Sequence, residues 1–123
     1  MKLSKTEEQL MDIIWKNKKI FFKEIIDNYP EPKPASTTVA TLLKRMQEKN
    51  VIGYKLFGNS RQYYPLIKKE EYFSKGLKEI IQNYFNNSSL QFASFFTQNS
   101  NMTADELEDL KNIVEQELNK KKK

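Results

Sequence analysis

The sequence predicts a mainly α-helical chain that carries one small β-hairpin. In most of the longer segments the apolar residues recur three and four positions apart, which is the spacing of one side of an α-helix. Around Gly58-Asn59 the pattern changes to the alternation that is typical of two paired strands joined by a tight turn. A length of 123 residues allows one compact domain, or one small domain with a helical extension.

Composition excludes several kinds of chemistry. The chain has no cysteine and no histidine, which excludes disulfides, thiolate nucleophiles, Ser-His-Asp relays and the usual zinc sites. The adjacent acids Glu7-Glu8 and Glu70-Glu71 lie at predicted helix starts, where the helix dipole explains them. We therefore expect no enzyme, no metal and no cofactor. No apolar run approaches the ~20 residues of a membrane span and the first residues lack a signal-peptide core, so we expect a cytoplasmic protein without membrane contact.

Positive charge is concentrated in one stretch. The net charge of the whole chain is +5, but residues 33–69 hold eight basic side chains and a single acid, Glu48, which is a net charge of +7. The rest of the chain therefore sums to −2. A positive field gathered in one segment favours a polyanionic partner, and nucleic acid is the most abundant polyanion in cytoplasm.

The first third of the chain predicts two helices and a turn. Ser4 and Glu7 form a capping box, which starts a helix that ends near residues 17–19. Residues 20–22 are apolar and form a candidate short strand, and residues 23–29 show helical spacing. The helix cannot continue beyond them, because three prolines follow: Pro30, Pro32 and Pro34.

Residues 36–49 show the clearest helical pattern. One stripe is apolar, and about opposite it lie Thr37, Thr41, Lys44 and Glu48, with Thr38 and Arg45 on one flank. Threonine is a poor helix former, so three of them on an outward side need a reason. Hydroxyls, methyls and cationic tips are the groups that read base edges and hold phosphates. An ordinary solvated face, with Ser36 or Thr37 serving only as a helix cap, remains the alternative.

A hairpin follows this helix. Asn50 suits the left-handed conformation after a helix end, residues 51–57 alternate, and Gly58-Asn59 is a turn pair before the returning strand, residues 60–67. Helix, helix, basic helix and hairpin is the order of a winged helix-turn-helix, in which the third helix enters the major groove. We assign residues 1–69 to this DNA-binding domain.

The remaining residues, 70–123, predict a helical dimerisation region. A helix over about 70–85, a short apolar segment at 90–96 and a last helix opened by a Thr103/Glu106 capping box make three amphipathic pieces. Such pieces in about 50 residues cannot bury their apolar sides alone, and an identical chain is the simplest partner. The expected interface residues are Leu77, Ile81, Leu107, Leu110 and Val114.

The motifs resemble those of the penicillinase-repressor (BlaI/MecI/CopY) family of dimeric bacterial repressors. The matching stretches are residues 3–7 leading to Ile13-Ile14-Trp15, residues 36–46 with Glu48-Lys49, residues 63–66, and Met102-Thr103 with residues 105–110. The resemblance implies that Thr37, Thr38, Thr41 and Arg45 face DNA. Where many relatives carry Gly-Arg at the hairpin turn this chain has Gly58-Asn59, so we expect wing contacts to phosphate to shift to Lys55 and Arg61 or to weaken.

The resemblance also implies regulation. Relatives that control β-lactam resistance are inactivated by proteolysis near an Asn-Phe bond, and the equivalent bond here is Phe95-Phe96, without the asparagine. A regulatory protease is therefore an implied partner. Copper-sensing relatives use a Cys-x-Cys pair, which this chain lacks.

The sequence thus predicts a homodimeric transcriptional repressor that binds a palindromic operator on double-stranded DNA. The expected DNA contacts are Thr37, Thr38, Thr41, Lys44, Arg45, Lys55 and Arg61. Two alternatives remain open: a winged-helix module that binds an acidic protein, and a MarR-type regulator that responds to a small ligand.

Overall fold

The computed structural model describes residues 2–122, which fold into six helices and three strands. In chain order these are α1 (Lys5–Asn17), β1 (Ile20–Phe21), α2 (Phe22–Asp27), α3 (Ser36–Glu48), β2 (Ile52–Phe57), β3 (Ser60–Pro65), α4 (Lys69–Tyr84), α5 (Ser89–Asn99) and α6 (Ala104–Lys122). The chain divides into two compact units between Gly76 and Leu77. The prediction of a mainly helical chain with a small sheet is confirmed.

The start of α1 has the predicted capping box. The Ser4 hydroxyl accepts a hydrogen bond from the Glu7 backbone N–H at 3.2 Å, and the Ser4 N–H donates to the Glu7 carboxylate at 2.9 Å. Two backbone donors that a helix start leaves unpaired are thereby satisfied.

Three antiparallel strands form the sheet in the order β1-β3-β2. The two-residue turn Gly58-Asn59 joins β2 to β3, and Gly58 takes a positive φ of 63° that costs glycine little. The sequence predicts the hairpin and a separate short strand at residues 20–22, but not their pairing. In the structure Ile20 lies opposite Tyr63, which attaches β1 to the outer edge of the hairpin.

The core of the first unit lies between α1, α2, α3 and one face of the sheet. From α3 it takes the four apolar residues of the predicted stripe, Val39, Leu42, Leu43 and Met46, all of them buried. After α3, Asn50 takes a left-handed φ of 59° and turns the chain into β2, as its position predicts.

The first turns of α4 belong to this unit. The Tyr72 hydroxyl accepts from the Leu3 N–H at 3.0 Å and donates to the Glu8 carboxylate at 2.7 Å. Trp15, which donates its indole N–H to the Ile67 carbonyl at 2.9 Å, packs against the rings of Tyr72 and Phe73. Composition changes after residue 69, where we predicted the boundary, but these contacts carry the first unit on to Gly76.

The second unit consists of the rest of α4 with α5 and α6. Ile81 is the one buried residue among those described in this unit. Residues 90–96, expected only as a short apolar segment, belong to the longer helix α5, which the polar residues Thr97 and Asn99 extend by bonding to carbonyls one turn back. The Thr103/Glu106 capping box at the start of α6 is confirmed.

An ion pair between a buried carboxylate and a half-exposed ammonium joins α1 to the end of α3. Glu7 is 2% exposed, and the Lys49 ammonium donates to both of its carboxylate oxygens at 2.8 and 2.9 Å. Burial alone would raise the pKa of Glu7, but hydrogen bonds from Lys49 and from Ser4 outweigh it and hold that pKa below its ordinary value of 4.5. The pair therefore links the start of α1 to the C-terminal end of α3.

We predict that Glu7→Gln lowers the free energy of unfolding by about 1–3 kcal/mol at pH 7, because the amide keeps the cap but leaves Lys49 without its counter-ion. The folded-state pKa is lowered, so the contribution is present above pH 4.5 and is lost as pH falls through the folded value. Urea denaturation of both proteins between pH 7 and pH 3 measures this. A difference that stays constant over that range would contradict the assignment, and a double-mutant cycle with Lys49→Met isolates the pair.

Candidate nucleic-acid interface

The outward side of α3 is open to solvent along its whole length. Thr37, Thr38, Thr41, Lys44 and Arg45 are all exposed, while the apolar stripe on the other side is buried. The helical wheel therefore predicts correctly which residues face outward. A 13-residue helix with one side in the core and the other in water has a suitable size and shape for the major groove.

The threonines of α3 have no capping role. The N-cap residue is Ala35, which has no side chain to bond the first backbone donors, and Ser36 begins the helix itself. Thr41 donates its hydroxyl to the Thr37 carbonyl at 2.9 Å, so that hydroxyl has only acceptor capacity left for a ligand. The capping part of the alternative is therefore wrong, and an ordinary solvated face is what it leaves.

Grooves run along both flanks of α3. On one flank Thr38 lies beside Tyr29, Pro32 and the start of α1. On the other flank Lys44 faces Tyr54 and Arg61 of the hairpin. The structure thus brings Lys44 and Arg61 to one groove, with cationic groups contributed by two different elements.

The two predicted wing contacts, Arg61 and Lys55, lie on opposite faces of the hairpin, which we call the wing (residues 52–65). Leu56 lies opposite Arg61 and Lys55 lies opposite Gln62, so Arg61 and Lys55 are on different faces of the ribbon. The Arg61 guanidinium rests 4.3 Å from the centre of the Tyr54 ring, on the α3 side. Lys55 lies on the other face with its ammonium 5.6 Å from the Phe57 ring centre. Only Arg61 shares a surface with α3.

Three of the basic side chains in residues 33–69 bond to other parts of the protein. Lys33 donates to three carbonyls at the end of α2, those of Ile26, Asp27 and Tyr29, at 3.0–3.2 Å. Lys49 pairs with Glu7, and Lys69 pairs with Asp12 at 3.3 Å. These carboxylates lie 42 and 57 positions away in sequence, so local spacing gave no signal of the pairing.

The remaining basic side chains of the stretch form no ion pair with any residue between positions 2 and 122: Lys44, Arg45, Lys55, Arg61 and Lys68.

In the same part of the chain no group of acidic side chains is placed to hold a metal ion. None of the helices described has the length and apolar character needed to cross a bilayer.

We predict different stabilities for two variants that lose the same charge. Lys33→Met should lower the free energy of unfolding by about 0.5–1 kcal/mol, because the carbonyls at the end of α2 lose their donor and their cation. Lys44→Met should stay within about 0.5 kcal/mol of the parent, as is usual for an exposed side chain without a partner. Urea denaturation at one pH compares the two variants. An equal loss of stability in both would contradict the assignment of Lys33 to a structural role and of Lys44 to the free surface.

Comparison with known proteins finds relatives over nearly the whole chain. A family model described as penicillinase repressor matches residues 3–116. The methicillin resistance regulatory protein MecI of Staphylococcus aureus strain N315 is 30% identical over 120 residues, which is 97% of this chain and 94% of that protein. The penicillinase repressor of Bacillus licheniformis is 25% identical over 121 residues, 98% of this chain and 94% of that one.

Among solved structures, the DNA-binding domain of the repressor BlaI is similar to this chain. The TM-score is 0.52 at 26% identity, over 58% of this chain and 88% of that domain. The winged helix-turn-helix predicted from the order of elements is thereby confirmed. The family is described as a repressor family and the two relatives are named as a regulatory protein and a repressor, in agreement with the expectation that the chain is not an enzyme.

Proposed function

Because the chain belongs to the penicillinase repressor family, we propose that it is a transcriptional repressor that binds a palindromic operator as a homodimer, with α3 in the major groove. The observation that carries the proposal is the open outward side of α3, which no capping role explains. Occupation of the operator would block transcription, and the cytoplasm is where such a protein meets its DNA.

The side chains divide into two sets of contacts. Thr37, Thr38 and Thr41 offer methyls and acceptor oxygens to base edges, thymine methyls in particular. Arg45 is long enough to reach a phosphate or to bind a guanine edge with two hydrogen bonds. Lys44 of α3 and Arg61 of the wing contact phosphates of one DNA strand, and together they set how deeply α3 enters the major groove. Lys55, on the other face of the wing, contacts a different phosphate.

Dimerisation is supported by the unfilled core of the second unit. Leu77, Phe95, Phe96, Leu107 and Val114 are all exposed in the single chain, and Leu110 is only partly covered. Leu107, Leu110 and Val114 follow the spacing of a coiled-coil seam along α6. An exposed apolar surface of this extent is typical of an interface, and an isologous contact with a second copy covers it on both chains.

A dimer of this kind reads two half-sites. With two-fold symmetry, the α3 helices enter successive major grooves about one helical turn apart, or a small multiple of that distance, so the operator is an inverted repeat. Selection of bound duplexes from a random library with the full chain tests this directly. Recovery of an inverted repeat supports the proposal, and recovery of unrelated sequences contradicts it.

Regulation by a protease would need a change in α5. The implied cleavage bond, Phe95-Phe96, lies within this helix, and the two rings pack against Phe85 and Phe92. Proteolysis of a helical segment proceeds through local opening, so the rate would depend on how often α5 unwinds. The two other functions that the sequence left open gain no support from the comparisons, whose relatives are named as a methicillin resistance regulatory protein and a penicillinase repressor.

We predict that Arg45→Ala weakens binding to the selected duplex by about tenfold or more at fixed salt, the loss expected for one good base or phosphate contact.

Lys44→Gln should lower the slope of log affinity against log salt by about 0.9, because one fewer counter-ion is released. Lys33→Gln removes the same charge from a site turned to the protein and serves as the matched control. Equal slopes for both lysine variants would contradict the proposed orientation of α3.

We predict that Leu107→Asp combined with Val114→Asp gives monomers at micromolar concentration, since two charges would enter the centre of an apolar interface. Asn112→Asp with Asn119→Asp places the same charges at the same spacing on another side of α6 and should leave the dimer intact. Sedimentation velocity measures both. If the first variant is still a dimer, the interface does not lie on this side of α6.

A further inference from the structure

The tip of the wing is apolar on the side that faces α3. Leu56 is 59% exposed and occupies the last but one pair of the hairpin before the Gly58-Asn59 turn. Phe57, at the last pair, turns to the opposite face and packs edge-on against Phe21 with 5.8 Å between ring centres. Leu56 is therefore the most exposed of the large apolar side chains at the end of the ribbon.

Leu56 lies next to Arg61, the side chain that we propose contacts a DNA phosphate. In the antiparallel register Leu56 lies directly opposite Arg61, which brings their Cβ atoms to about 5 Å. The guanidinium of Arg61 stacks on Tyr54, so its position is restricted before any ligand arrives. An apolar tip and a held guanidinium thus lie side by side, on the face that also borders Lys44.

We propose that Leu56 inserts between two base pairs of the minor groove next to the major groove that α3 reads, while Arg61 stays on the phosphates that border this groove. A leucine that enters a base step partly unstacks it and kinks the duplex toward the major groove. The inference rests on the proposed function and adds to it a reading of DNA deformability by the wing.

This contact has a consequence for the sequence of the operator. Pyrimidine–purine steps such as TA and CA unstack most easily, so they should be favoured under the wing, where no hydrogen bond reads a base edge. Phosphate contacts would be unchanged by the loss of the leucine side chain. Removal of Leu56 should therefore weaken binding and reduce bending without changing the salt dependence.

The experiment uses the full chain and the duplex recovered by selection, labelled with a dye at each end so that energy transfer reports the bend. Leu56→Ser is compared with Leu66→Ser, which removes the same side chain from a site of similar exposure, 52%, beyond the end of β3. We expect roughly tenfold weaker binding and a smaller bend for Leu56→Ser, an unchanged salt slope, and parental behaviour for Leu66→Ser. Leu56→Met, which keeps an apolar wedge, should restore most of the bend.

Several results would overturn the inference. Parental affinity and bend in Leu56→Ser would show that the tip does not enter DNA, and equal losses in both serine variants would show an effect that is not specific to the tip. A changed oligomeric state of Leu56→Ser with a parental bend would assign the tip to a protein contact. If the unaltered chain shows no salt-dependent binding to any duplex, the proposed function itself fails and the inference falls with it.

Discussion

Burial of one apolar stripe of α3 determines which side of that helix can meet another molecule. Val39, Leu42, Leu43 and Met46 lie in the core, each worth about 1.5–3 kcal/mol relative to exposure, so rotation of the helix about its axis is strongly opposed. The Glu7–Lys49 pair holds the far end of the same helix. The direction in which Thr41 and Arg45 face is therefore a consequence of core packing.

Predictions from local pattern were accurate where the physical cause is local. The capping boxes at Ser4 and Thr103, the left-handed Asn50 and the Gly58-Asn59 turn follow from interactions among residues close in sequence. The pairing of β1 with β3, and the use of Lys49 and Lys69 in ion pairs, depend on residues distant in sequence, and charge counting overstated the free positive charge as a result. The separation of Lys55 from Arg61 follows from the alternation of strand side chains, so the register of the hairpin would have predicted it.

The two units differ in how their stability is supplied. The first has a filled core of its own, whereas in the second the apolar side chains of α4, α5 and α6 remain mostly in contact with water. Association of two chains would stabilise the second unit by mass action, which makes its folding depend on protein concentration. Joining two DNA-binding domains also raises the effective concentration of the second domain once the first is bound. If the chain is the dimer that we propose, its dissociation would release the operator without any change in α3.

The central claim is that the outward side of α3 contacts duplex DNA, and site-specific photocrosslinking tests it most directly. Because the chain has no cysteine, Thr41→Cys and Lys16→Cys each provide a single point for an azidophenacyl crosslinker, on α3 and at the exposed end of α1. We predict that the label on α3 crosslinks to bases within the selected half-site and that the label on α1 does not. Crosslinks from α3 to protein alone, or to no part of a bound duplex, would contradict it.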